Sequence, residues 1–172
     1  INPKECFPYH PNQSQFETMQ KLRRTYFIFL LFLPLTITAT GTLDVYWVDV
    51  EGGAATLVVT PAGESLLVDT GNPGTRDAGR IHQVATKVAG LKKIDHLITT
   101  HFHGDHYGGA AMLANLMPIG VVNDNGIPKK NPDRHRKNPI FPQLVKPYRD
   151  MKEDSRHVVK PGYVFPLKQA KG

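Results

Sequence analysis

Four residues able to bind a metal ion fall within six positions of this sequence, in "THFHGDH" from Thr100 to His106. They are His101, His103, Asp105 and His106. Imidazole nitrogens and a carboxylate oxygen suit zinc and other divalent first-row ions, whereas carboxylates and carbonyls alone would suit calcium or magnesium. The set therefore argues for zinc ahead of iron or manganese. In a loop leaving a strand, His101 and His103 stand two residues apart and can face one ion. Asp105 and His106 follow the backbone turn at Gly104 and can face a second. Two ions about 3.5–4 Å apart lower the pKa of a shared water and polarise the bond under attack, so the chemistry implied is hydrolysis.

Other candidates are weaker. Asp69 ends "LLVDTG" and is expected at the same sheet edge, where it would orient a metal-binding His without touching the ion; Asp before Thr-Gly is equally good turn chemistry. His82 is expected at the surface; His96, His135 and His157 are isolated, and each is expected to be a surface or internally satisfied histidine.

The elements that must position these residues are legible as pattern. "LDVYWVDV" (Leu43 to Val50), "ATLVVT" (Ala55 to Thr60) and "SLLVDTG" (Ser65 to Gly71) are rich in β-branched and aromatic residues and separated by Gly and Pro turns. They predict three consecutive strands, the last two forming a hairpin. Ile81, Val84, Ala85, Val88 and Ala89 recur at the spacing of one helix face, with Gly90 suited to the C-terminal cap. "IDHLITT" (Ile94 to Thr100) predicts a buried strand that ends at the His-rich segment. A short helix over Gly108 to Met117 stops at Pro118, and a strand over Ile119 to Asp124 follows. The fold class is α/β: a mixed sheet with helices on its outer face, in which ligands gather at the carboxyl ends of strands. From Asn125 to Arg156 the sequence is heavy in Pro and charge and reads as a surface insertion or linker; "HVVKPGYVFPL" (His157 to Leu167) recovers a strand and a turn.

With 172 residues and 40% hydrophobic content, the chain suits a single domain with a real core. Its net charge of +6 lies mostly after Gly126, without interleaved aromatics or a nucleic-acid motif, and so reads as a solvated basic face. Met19 opens a tripartite pattern. "MQKLRR" is basic, Thr25 to Leu35 is apolar, and "TITATG" offers small residues for cleavage. Residues 19–41 are therefore expected to be a signal peptide, because the apolar run is broken by Pro34 and shorter than the ~20 residues a membrane span needs. The expected location is periplasmic or secreted, with no anchor left after cleavage and residues 42–172 as the exported domain. Residues 1–18 read as a disordered or non-native upstream segment. They hold Cys6, the only cysteine, so neither disulfides nor cysteine chemistry are expected in the exported part.

In the intact His-x-His-x-Asp-His pattern of His101, His103, Asp105 and His106, the sequence resembles the metallo-β-lactamase fold superfamily. "LLVDTG" with Asp69 and "HYGG" after the motif fit the same resemblance. "VYWVDVEGGAATLVVTPAGESLLVDTG" looks like the subgroup containing the hydrolase domain of bacterial DNA-uptake channel proteins, with Asp49-Val50-Glu51-Gly52-Gly53-Ala54 as a partial match to its turn. The resemblance implies an αββα sandwich holding two zinc ions and hydrolysing an ester, amide or lactam, or phosphodiester. It also implies that His101 and His103 hold the first ion and Asp105 and His106 the second, with Asp105 orienting the attacking water.

That family draws a further His, a bridging Asp and a last His from its second half. The available types here are His135, His157, Asp124 and Asp133, in contexts unlike the family's. The chain is therefore expected to be an N-terminal portion of a longer hydrolase. Two alternatives stay open: an iron-dependent oxygenase or redox member of the fold, which metal analysis would reveal, and an inactive metal-binding module. The substrate is open between a small molecule and a nucleic-acid phosphodiester.

Overall fold

The computed structural model describes residues 41–132 and 139–170. The expected signal peptide before Gly41, Cys6, Asp133 and His135 lie outside the described residues.

Six strands form one sheet in sequence order: β1 (Asp44–Trp47), β2 (Thr56–Val59), β3 (Ser65–Val68), β4 (Ile94–Ile98), β5 (Ile119–Asp124) and β6 (Ser155–Val158). The first three pair antiparallel and the rest run parallel to β3. This order follows from the connections. Short turns join β1 to β2 and β2 to β3, while each parallel step is spanned by a longer segment containing helix. These helices are α1 (Thr75–Gln83), α2 (Gly104–Tyr107), α3 (Ala110–Leu116), α4 (Phe141–Leu144) and α5 (Lys146–Arg149).

Register explains where the core sits. Leu57 lies opposite Leu67, Leu67 beside Leu97, and Leu97 beside Val122, so one row of aliphatic side chains crosses four strands. All four are fully buried, together with Ile81, Ala85, Ala110 and Leu113 from the helices. Each large aliphatic side chain enclosed in this way contributes about 1.5–3 kcal/mol. The opposite face of β1 is open: Val45 and Trp47 are exposed, Trp47 at 81%.

Two elements depart from the pattern reading. The helix after β3 widens into a π-helical turn at Val84–Val88, with Ala89 N–H donating to the Val84 carbonyl. The wider turn changes the phase of the apolar stripe, so Ile81 and Ala85 are buried while Val88 is rotated out to 64% exposure. The last strand begins at Ser155 and ends at Val158, so the residues through Leu167 do not extend it.

The larger correction concerns residues 125–156. Phe141, Val145, Tyr148 and Met151 are all buried in the core cluster. Their spacing is that of one helix face, interrupted by Pro142 and Pro147. Both prolines stand in the first turns of α4 and α5, where the missing N–H has no helical partner to lose. What resembled a linker therefore contains two one-turn helices that close the core beneath the His-rich loop.

Candidate metal centre

Asp69 follows β3, and Thr100 and His101 follow β4, so parallel pairing brings both exits to one edge of the sheet. The chain then leaves as an extended loop through His103, which precedes α2. Asp105 and His106 occupy that single helical turn.

At the centre of the arrangement is the Asp69 carboxylate, 2% exposed. Its Oδ1 accepts the Thr100 N–H at 2.8 Å; its Oδ2 accepts the Thr100 hydroxyl at 2.6 Å and lies 2.8 Å from His106 Nδ1. A carboxylate only accepts, so His106 carries its proton on Nδ1 and keeps a lone pair on Nε2. Asp69 is also the one non-glycine residue with positive φ, 60°, among the described residues. Such a backbone costs on the order of 1 kcal/mol and is held by its surroundings, here by the Asp69 N–H donating to Ile98 O at 2.8 Å.

The four sequence-predicted ligands form two neighbouring pairs. His101 Nε2 and His103 Nδ1 face each other at 3.1 Å, close to the roughly 3.3 Å edge of a tetrahedron drawn at zinc–nitrogen bond lengths. Asp105 Oδ2 and His106 Nε2 are 3.9 Å apart. The pairs touch through the His101 and His106 rings, whose centroids are 4.0 Å apart. Burial first, then the adjacent His106 and His103, holds the His101 imidazole below its ordinary pKa and favours the neutral form with a lone pair to give. The donor chemistry thus fits divalent metal. Among the described residues no group of three or more His, Cys, Asp or Glu side chains is placed to hold one ion, so the motif supplies donors in twos.

Neighbouring backbone fixes the motif. Thr70 donates both its N–H, at 2.7 Å, and its hydroxyl, at 3.0 Å, to the His106 carbonyl. Gly53, at φ 68°, lies against Asp105 so closely that a Cβ there would fall 1.9 Å from the Asp105 carbonyl oxygen. From below, Phe102 packs against Tyr107 and Tyr148, with ring centroids 5.6 and 5.3 Å away. The Tyr148 hydroxyl donates to Asp124 Oδ2 at 3.0 Å, and Thr99 Oγ1 lies equally close. Arg156 completes the cluster, 3.0 Å from Asp124 Oδ2 and stacked 4.6 Å from the Tyr148 ring centroid. Burial pushes the Tyr148 phenol well above its ordinary pKa, so it remains a neutral donor.

The remaining candidates lie elsewhere. Asp124, a possible further ligand by type, is 1% exposed and occupied by Tyr148, Arg156 and the Gly126 N–H. His157 is exposed on β6. His96 is buried beside Glu64, its Nε2 3.3 Å from Oε1. Thr70, Thr100, Gly53 and Tyr148 escaped the sequence reading. Of these only Tyr148 carried a usable signal, the apolar spacing from Phe141 to Met151.

Residues 48–166 match the family model of the metallo-beta-lactamase superfamily. The chain belongs to that superfamily. Among curated proteins it is 35% identical over 92 residues to a metal-dependent hydrolase of Cupriavidus metallidurans, covering 52% of this chain and 28% of that protein. It is 33% identical over 98 residues to one from Cupriavidus necator, covering 55% and 31%. It is also 35% identical over 86 residues to the atrochrysone carboxyl ACP thioesterase of Passalora fulva, covering 50% and 24%. The chain thus spans less than a third of the length of these relatives. Membership in this superfamily implies a metal cofactor, and the residues gathered around Asp69 have the chemistry to meet one.

Proposed function

We propose that the protein is a metal-dependent hydrolase that uses zinc, two ions when the site is fully furnished, and that it acts outside the cytoplasm. The observation that carries this reading is the placement of His101 Nε2 and His103 Nδ1 3.1 Å apart, beside a His106 whose Nε2 is turned outward by Asp69. His101 and His103 would hold one ion; Asp105 and His106 would hold the other. Zinc held by these residues would supply a water of near-neutral pKa and polarisation of the bond under attack.

The protein's own residues contribute orientation and charge. Asp69 keeps the His106 ring fixed and its Nδ1 protonated. Asp105, with its side chain 40% exposed, faces the open side of the loop, where its carboxylate can accept a proton from a water and aim that water at substrate. Phe102 and Tyr107, both buried, form an apolar floor beneath the loop. Acyl esters and thioesters are the first substrate class to test, since one relative is named as a thioesterase. Export rests on the Met19 to Gly41 pattern.

The test is metal analysis of the purified chain, followed by hydrolysis assays of the longer protein on a thioester, an ester, a lactam and a phosphodiester. Less than one tight equivalent of zinc on this chain, lost in His103→Ala, with negligible turnover until the remaining ligands are supplied, is the expected result. Iron in place of zinc, or metal content unchanged by His103→Ala, would sink the reading.

A further inference from the structure

We propose that Thr100 is a positioning residue that relays the Asp69 carboxylate to His101 and so fixes which nitrogen of that imidazole is left unprotonated. The role deepens the metal-centre reading and rests on it only for its consequence, not for its geometry.

The argument is one of proton count. Thr100 Oγ1 lies 2.6 Å from Asp69 Oδ2 and 3.1 Å from His101 Nδ1. A hydroxyl has one proton, and an ionised carboxylate has none. If that proton pointed at His101, two oxygens bearing only lone pairs would face each other at 2.6 Å, beside a carboxylate that is 2% exposed and has little water to relieve it. The proton therefore lies in the short contact to Asp69. Thr100 then offers His101 only a lone pair, and Nδ1 must carry hydrogen to meet it.

The consequence is that His101 Nε2 is the unprotonated nitrogen, and this is the atom that faces His103 Nδ1 at 3.1 Å. Asp69 imposes the same tautomer on His106 by direct contact at 2.8 Å. One buried carboxylate thus sets two imidazoles, one directly and one through a hydroxyl. The reach is needed because His101 leaves β4 one residue after Thr100, whose N–H is itself held by Asp69 Oδ1 at 2.8 Å. Valine at this position would keep the shape and remove the relay; serine would keep the hydroxyl.

The experiment is a long-range proton–nitrogen correlation spectrum of the nitrogen-15-labelled, metal-stripped full chain at about pH 8.5, above the ordinary imidazole titration. His101 and His106 are both expected as Nδ1–H tautomers. In Thr100→Val the His101 signals shift toward the Nε2–H form, His106 stays unchanged, and Thr100→Ser restores His101. Cobalt(II) affinity is expected to fall roughly 10-fold or more in Thr100→Val and to recover in Thr100→Ser.

An Nε2–H His101 in the unmodified chain would overturn the relay, even if Thr100→Val failed to fold. So would Thr100→Val with tautomer and cobalt affinity both unchanged. The two readings fail separately: a chain that binds no cobalt yet holds His101 as Nδ1–H keeps the relay and loses the metal centre.

Discussion

Two carboxylate–imidazole pairs occupy opposite ends of the same neighbouring strands. At the carboxyl end, Asp69 follows β3 and holds His106 at 2.8 Å. At the amino end, Glu64 precedes β3 and meets His96, in the middle of β4, at 3.3 Å. Both carboxylates are buried, and both contacts join an acid near β3 to a histidine on a later segment. The difference lies in the second ring nitrogen. His106 sits where the chain has left the sheet, so its Nε2 points to the open side, toward Asp105. His96 is clamped within a strand, and its Nδ1 is enclosed with no partner among the described residues. Glu64 spends its other oxygen on the Lys168 N–H, at 2.7 Å, and so ties down the chain after β6. The same chemical pair orients a candidate metal donor at one end of the sheet and fastens the fold at the other.

The largest effect expected from breaking this comparison is that of Asp69→Ala. It strips the hydrogen bonds to Thr100 and His106, which should cost about 3 kcal/mol in urea unfolding and reduce cobalt(II) affinity roughly 10- to 100-fold. Glu64→Ala should lower stability while leaving cobalt affinity within about two-fold, because its partners face away from the donors. Equal losses of affinity in both variants would erase the distinction between the two ends.

Gly53→Ala comes next. Its φ of 68° and the 1.9 Å overlap with the Asp105 carbonyl force the loop or the motif to move, at about 1–3 kcal/mol, and should weaken cobalt binding as well as folding. Tyr148→Phe leaves the ring packing against Phe102 intact but deprives buried Asp124 of a donor. A stability loss of about 1–2 kcal/mol by denaturant titration is the expected outcome.

The smallest effect concerns Asp95, at the same end as Glu64. Burial acts to raise its pKa, but hydrogen bonds from Lys93 and from Ser65 outweigh it and hold the carboxyl below its ordinary value. The unfolded state then binds the proton first as pH falls, so this stabilisation is complete above about pH 4–5 and is lost as acid approaches the folded-state pKa. Asp95→Asn should flatten the pH dependence of stability below about pH 4, read by thermal melts across that range. A steeper acid transition in the variant would contradict the sign.

Legibility in the sequence followed locality. The four motif donors and Asp69 were legible because their types are rare together and their strand context is adjacent in the chain. The sheet's strands were legible from runs of β-branched residues such as "TLVV" and "SLLV". Tyr148 was hidden by Pro142 and Pro147, which break a helix in the interior yet open one in its first turn. Gly53 and Thr70 were hidden because their partners, Asp105 and His106, are distant in the chain, and no local pattern announces a close backbone approach.

By itself, the sequence determined which candidate donors cluster, their order along one strand exit and the mixed strand-and-helix architecture, since each depends on residue type and short-range spacing. Only the tertiary structure decided that Asp69 reaches both Thr100 and His106, that the donors stand in two adjacent pairs, and that the proline-rich segment closes the core beneath them. The physical reason is that hydrogen-bond direction and burial depend on which strand exits lie side by side. That neighbourhood arises from parallel pairing of β3 with β4, not from any stretch of sequence read alone.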